Sequence, residues 1–213
     1  MNGGATNLRT FIALDLPAPI LDAMATAQEQ IQSYLRAQGL ASKLRWSPTK
    51  NIHLTLRFLG DTSPAQREEI IIRLQSLAAM TNPFTLSVDL SGAGIDGFPN
   101  LRQPRVLWIG LGGELPELMQ LQRQTEEVAR LVGFAPEEKA FAPHLTLARA
   151  ARDADRRTLQ QVGQALAEYR QVASPPASSP ISFSVAQLVY YQSVLNPAGS
   201  IYTPLATLPF VGG

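Results

Sequence analysis

The stretches "NIHLTLRFLG" (51–60) and "APHLTLAR" (142–149) share the tetrapeptide HLTL, and the two copies lie 91 positions apart. The chain has two histidines, and both fall in these copies, as His53 and His144. Each copy reads as a β-strand, in which successive side chains point to opposite faces. His53 and Thr55 therefore share one face and Leu54 and Leu56 the other. The same holds for His144 and Thr146 against Leu145 and Leu147. The leucines suit a hydrophobic core, which leaves the His/Thr faces free to line a polar surface.

The flanks of the two copies follow a common order. "RTFIALDL" (9–16) is a strand, and 17–38 a helix with Ile20, Met24, Ala27, Ile31 and Leu35 at helical spacing. "LRWSP" (44–48) and the first HLTL stretch, ended by Gly60, are strands. A helix over 63–80 follows, with Ser63 as N-cap and Pro64 as first helical residue. A strand over 83–92 closes the set. Beyond it come a strand at 105–112, a helix at 114–133 ended by Gly133, and the second HLTL strand. A helix at 153–170 that tolerates Gly163, a loop at 172–180, and strands at 181–193 and 200–208 complete the chain. Strand, helix, HLTL strand, helix, strand thus occurs over about 9–92 and again over about 105–193. One repeat at this period indicates two similar halves about a pseudo-twofold axis rather than a solenoid. The expected fold is a single bilobed α+β domain over 1–213, of mostly antiparallel sheet with helices outside. The two His/Thr faces then border one cleft between the lobes.

Composition narrows the chemistry. The 213 residues include no cysteine, which removes thiolate nucleophiles, disulfides and cysteine-ligated zinc and fits a reducing, cytoplasmic setting. No apolar run approaches the length of a membrane span and the N-terminus has no signal-like core, so no membrane association is expected. The net charge of +1 predicts no general affinity for polyanions, although 15 of the 18 basic residues are arginine, the side chain suited to bidentate phosphate contacts. With two histidines and no carboxylate inside either HLTL, neither a metal site nor a cofactor is expected. No phosphate-binding glycine loop and no G-x-S-x-G elbow is present; "GAG" (92–94) and "GLGG" (110–113) read as turns.

Two imidazoles around one space can divide acid and base duties near neutrality. Each such proton transfer contributes roughly 10²–10⁴-fold to a rate. One ring can activate water on one side of a phosphorus centre while the other protonates the leaving oxygen, and Thr55 and Thr146 can donate to the non-bridging oxygens. A strained cyclic phosphodiester suits such a pair and can be opened without a metal.

With paired H-x-T-x motifs, the sequence resembles the two-histidine phosphoesterases, and within them the RNA 2′,3′-cyclic phosphodiesterases, also called 2′-5′ RNA ligases. The similarity runs in order through "RTFIALDLP", "LRWSPTKNIHLTLRFLGD", "PFTLSVDLSGAGIDGFPN", "PRVLWIGLGG", "FAPHLTLAR" and "LVYYQSVLNPAGSIYTPLATLPF". The resemblance implies hydrolysis of RNA ending in a 2′,3′-cyclic phosphate to a 2′-phosphomonoester, and a weak, reversible, ATP-independent 2′-5′ joining of tRNA halves. It implies His53 as general acid, His144 as general base, Thr55 and Thr146 on the phosphate, and Arg149 as a further phosphate contact.

Simple alternation sets Arg149 on the face opposite His144, so a bulge or a strand end near Ala148 is needed to turn it inward. Alternation instead places Arg57 on the His53 face, as a rival phosphate ligand. Phe11, Trp46, Phe58 and Tyr202 are candidate base-stacking residues. Nothing calls for a partner protein, and a monomer is expected. The alternatives are another cyclic or 2′-5′-linked substrate, and a non-hydrolytic module that binds RNA termini.

Overall fold

The computed structural model describes residues 6–173, 180–196 and 199–212. Its elements, in chain order, are β1 (Leu8–Asp15), α1 (Ala18–Ala37), β2 (Leu44–Trp46), β3 (His53–Thr62), α2 (Pro64–Ala79), β4 (Phe84–Val88), β5 (Ile95–Phe98), β6 (Val106–Gly113), α3 (Leu115–Leu131), β7 (His144–Ala150), α4 (Arg156–Val172), β8 (Ile181–Val185), β9 (Gln187–Val194) and β10 (Ile201–Pro209). The strands form two antiparallel sheets. One has the order β10-β9-β1-β3, the other β2-β7-β6-β4-β8, with β5 on β6.

The strand orders of the two sheets correspond: β9-β1-β3 in one has the arrangement of β4-β6-β7 in the other. The sheets do not follow the sequence halves, however. β4 leaves the first half to join the second sheet, and β9 returns from the second half to the first. The helices are exchanged likewise, since α1 packs against α4 and α2 against α3. Each lobe therefore contains chain from both halves, and one cluster of buried side chains runs through both sheets.

Local chemistry fixes the element ends. α1 buries Ile20, Met24, Ala27, Ile31 and Leu35, the stripe that its spacing predicts, and Gln28 with them. α2 begins in a capping box: the Ser63 hydroxyl accepts from the Gln66 N–H while the Gln66 side chain accepts from the Ser63 N–H. Asp155 caps α4 by accepting from the Thr158 N–H. Gly163 is tolerated in α4 because the helix rides close over the chain at Leu101 and Arg102, whose carbonyl oxygens a Cβ there would strike.

Several boundaries differ from expectation. β3 continues past Gly60, which takes a left-handed φ of 73° at an irregularity opposite Thr10 and Phe11, so a glycine that looked like a stop is a bulge inside the strand. The stretch 181–193 is two strands in different sheets, broken at Ala186, whose carbonyl accepts the Phe210 N–H. Gly92–Gly94 is a helical turn, but Gly110–Gly113 belongs to β6 and is not a turn. Of the expected loop at 172–180, residues 174–179 lie outside the described residues.

Candidate active site

The two HLTL strands, β3 and β7, approach each other where the sheets meet. Leu54, Leu56, Leu145 and Leu147 are all buried in the core. On the other face His53, Thr55, His144 and Thr146 line one cleft of about 880 Å³, together with Arg9, Arg45, Arg149 and Arg152. The expected convergence of both imidazoles and both hydroxyls is therefore observed.

The two rings are held alike. His53 Nδ1 lies 2.8 Å from the carbonyl oxygen of Asn51, and His144 Nδ1 lies 2.7 Å from that of Ala142, two residues upstream in each case. A carbonyl only accepts, so the proton of the neutral ring sits on Nδ1 and Nε2 carries the free lone pair. In His53 that nitrogen is 3.0 Å from the Thr55 hydroxyl. The chain entering β3 is anchored in turn, because the Asn51 side chain donates to the Ser200 carbonyl at 2.9 Å.

The rings differ in their surroundings. His53 stacks on Phe11 at 4.8 Å between centroids and meets the edge of Tyr202 at 5.2 Å. His144 packs edge-on against Phe98 at 4.9 Å. Burial pushes the proton affinity of both below the usual histidine range, and the nearby Arg149 guanidinium pushes in the same direction. At His53 the Asp15 carboxylate acts against these effects. Asp15 is the cross-strand partner of His53, and both of its oxygens accept from the Tyr191 hydroxyl, at 2.9 and 2.8 Å. The cross-strand partner of His144 is Gly110, which has no side chain to offer.

The two arginines separate. In β7 the pairing skips Leu147, since Ala148 faces Leu107 and Thr146 faces Trp108. This bulge buries Leu147 and Ala148 in succession and turns Arg149 into the cleft, as a phosphate contact requires. In β3 the pairing skips Leu56 in the same way. The expectation that Arg57 shares the His53 face is corrected here: Leu56 and Arg57 are buried in succession, and Arg57 is only 8% exposed. Its guanidinium lies 2.6 Å from Glu126 of α3 and 3.1 Å from Glu137, and it donates to the Ala135 carbonyl. Arg57 is a buried strut between β3 and α3, outside the cleft. Phe58 takes the place facing the cleft, with the Arg9 guanidinium 4.4 Å above its ring.

The model of the family described as LigT-like phosphoesterases matches residues 19–108 and again 111–202, one match on each half of the repeat. The chain belongs to this family. A LigT-like relative from Aquifex aeolicus, named RNA 2′,3′-cyclic phosphodiesterase, is 32% identical over 79% of this chain and 82% of its own length. One of the same name from Aeropyrum pernix is 34% identical over 73% and 80%. Among solved structures, Escherichia coli LigT complexed with 3′-AMP superposes with a TM-score of 0.63 at 26% identity, covering 96% of this chain and 98% of that one. The protein TT0787 of Thermus thermophilus shares the fold with a TM-score of 0.70 at 24% identity over 96% and 99%.

Phe11, Trp46, Phe58 and Tyr202 all border this LigT-like cleft. Phe11 is 3% exposed, so it braces His53 and offers little face to a ligand. The sequence reading missed Asp15, Gln28 and Arg45. Gln28, buried on α1, donates to the carbonyl of Leu147 at 3.0 Å and to that of Ser47 at 3.0 Å, and its own oxygen accepts from Thr49. Leu147 is the residue skipped in the bulge, and its carbonyl also accepts the Ser47 N–H. The sequence marks the two residues as out of place, a carboxylate closing an apolar strand at Asp15 and an amide within an apolar helical stripe at Gln28, but not the partners they meet.

Proposed function

We propose that this phosphoesterase opens the 2′,3′-cyclic phosphate at the end of RNA by paired imidazole catalysis. The observation that supports it best is the presence of both His/Thr pairs on one cleft, each ring oriented by a backbone carbonyl on Nδ1. His144 Nε2 takes a proton from water as its oxygen attacks phosphorus. The bond from phosphorus to O3′ breaks, and His53 Nε2–H delivers a proton to the departing O3′. A 2′-phosphomonoester and a 3′-hydroxyl result. Thr55 and Thr146 donate to the non-bridging oxygens, and Arg149 balances the charge that builds there.

The unequal surroundings favour this division of roles. Asp15 supports the protonated form of His53, the state an acid needs, while Arg149 acts on His144 with no opposing carboxylate. An anionic substrate raises the proton affinity of both rings, which readies His53 further. The charged side chains lining the cleft are arginines among the described residues, a donor set suited to phosphate and not to a resident cation. The named relatives act on RNA 2′,3′-cyclic phosphate according to their names, which agrees with the reading. We place the enzyme in the cytoplasm as a monomer acting on RNA ends such as those of tRNA fragments, with slow 2′-5′ joining as the reverse reaction.

The test is product analysis. An oligoribonucleotide ending in 2′,3′-cyclic phosphate is incubated with the protein and EDTA, and the position of the phosphate is read by NMR. Formation of the 2′-phosphate at an undiminished rate is expected. A 3′-phosphate product reverses the roles of the two oxygens, and loss of turnover with chelator removes the metal-free mechanism.

A further inference from the structure

Arg45 and Arg149 are cross-strand partners on β2 and β7, and both face the cleft. Arg152, just beyond β7, lines it as well. Like charges directly opposite one another destabilise a sheet pair. No carboxylate lies on the cleft wall to separate these among the described residues, and the nearby Asp153 pairs instead with Lys43 at 3.7 Å. All three arginines are exposed. Such an arrangement is relieved when an anion lies between the guanidiniums.

Arg149 meets the needs of the reacting phosphate, being close enough to depress the proton affinity of both imidazoles. Arg45 stands one strand away from it on β2, and Arg152 three residues beyond it in the chain. β2 is the edge strand of its sheet. No strand follows β2 in that sheet among the described residues, so a ligand that extends from the imidazoles over β7 to β2 reaches the sheet edge. Adjacent strands are about 4.8 Å apart, so successive arginines along this line suit successive charges on one polymer.

We infer that Arg45 and Arg152 form a second anion subsite, which takes the phosphodiester immediately upstream of the terminal nucleotide. The inference rests on the proposed RNA-end activity and deepens it. The enzyme then reads a polynucleotide end, not a lone cyclic nucleotide, and the strand leaves across the β2 edge. Trp46, next to Arg45 and on the same wall, flanks this exit.

The experiment compares two dinucleotides that end in 2′,3′-cyclic phosphate. One has a normal phosphodiester between its nucleosides, the other an uncharged methylphosphonate. The wild type is expected to prefer the charged linkage by about tenfold in kcat/KM, mainly through KM. In Arg45→Gln or Arg152→Gln that preference falls towards unity, and the log–log salt slope for the charged substrate becomes shallower by about one. Equal use of the two dinucleotides by the wild type overturns the subsite. So does an Arg45→Gln variant, folded by its melting curve, that slows both equally. If the wild type turns over no cyclic phosphate, the proposed activity fails on its own. Calorimetric binding of the two corresponding 2′-phosphorylated dinucleotides then repeats the comparison without turnover, and equal affinities overturn the subsite.

Discussion

The strands β3 and β7 begin with the same four residues and break pairing at the same place, one residue after the threonine. Past the break the two sequences diverge. β3 continues with Arg57 and Phe58, β7 with Ala148 and Arg149. The first residue after the break turns to the core side and the second to the cleft. The arginine in β3 is thus one position too early and becomes a strut to α3, whereas the arginine in β7 reaches the cleft. The cross-strand partners of the histidines differ too, Asp15 in one lobe and Gly110 in the other. A shared backbone fixes where the paired histidines and threonines sit. The unshared side chains set the lobes apart: a carboxylate opposes the loss of proton affinity at His53, and none does so at His144.

The largest effects test what the two strands have in common. His53→Ala and His144→Ala should each lower kcat by about 10²–10⁴-fold. The double variant should be little slower than either single one, since an acid and a base that act in one step do not contribute additively. Additive losses in a single-turnover assay would indicate two independent sites. The next effect tests the contrast between the arginines. Arg57→Ala leaves the half-buried Glu126 without its cation and removes a buried side chain, at a cost of about 3 kcal/mol in denaturant unfolding, the lower end for a buried pair. Arg149→Ala, at an exposed site, should leave stability nearly unchanged and lower kcat/KM. If Arg57→Ala kept full stability and lost activity instead, the separation of roles would be wrong.

The shared features were legible in the sequence and the unshared ones were not. Hydrophobic alternation and helical spacing give most of the elements, and the repeated HLTL gives the convergence of His53 and His144, because a tetrapeptide carries its own face assignment. Alternation cannot show where a strand skips a residue. The two matching skips fall just past the threonine, so the assignments that follow directly invert: Arg57 moves out of the site, and Phe58 and Arg149 move in. The exchange of β4 and β9 between sheets is a tertiary choice that no local pattern records. Asp15 and Gln28 act through partners 38 and 119 positions away, at His53 and Leu147. Neither contact has a signature at short range.

Gln28 offers a smaller test, directed at the β7 bulge alone. In Gln28→Leu the Leu147 and Ser47 carbonyls each lose a buried donor, a cost of about 1–3 kcal/mol. If the bulge aims Arg149, kcat/KM falls several-fold more than in an equally destabilised variant far from β7. Normal activity in a folded Gln28→Leu protein would show that Ser47 suffices to hold the bulge.

The smallest effect concerns the lobe asymmetry itself. Asp15→Asn removes the carboxylate that favours protonated His53 and keeps a side chain of similar size beside Tyr191. Its absence lowers the proton affinity of His53 further. With His53 as the acid, the alkaline limb of the pH–rate profile then moves to lower pH, and the rate above pH 7 falls several-fold. The acid limb, set by His144, stays in place because Gly110 leaves that ring without an equivalent carboxylate. Stability gives an independent readout. Both folded-state histidines bind protons less readily than the unfolded chain, whose histidines titrate near 6.5. The protein is therefore fully stabilised in this respect above about pH 6.5, and loses stability as the pH falls from there through the folded-state values. Asp15→Asn should steepen that loss, because it widens the gap at His53. A variant in which the acid limb moves instead would assign the carboxylate to the base and exchange the roles of the two lobes.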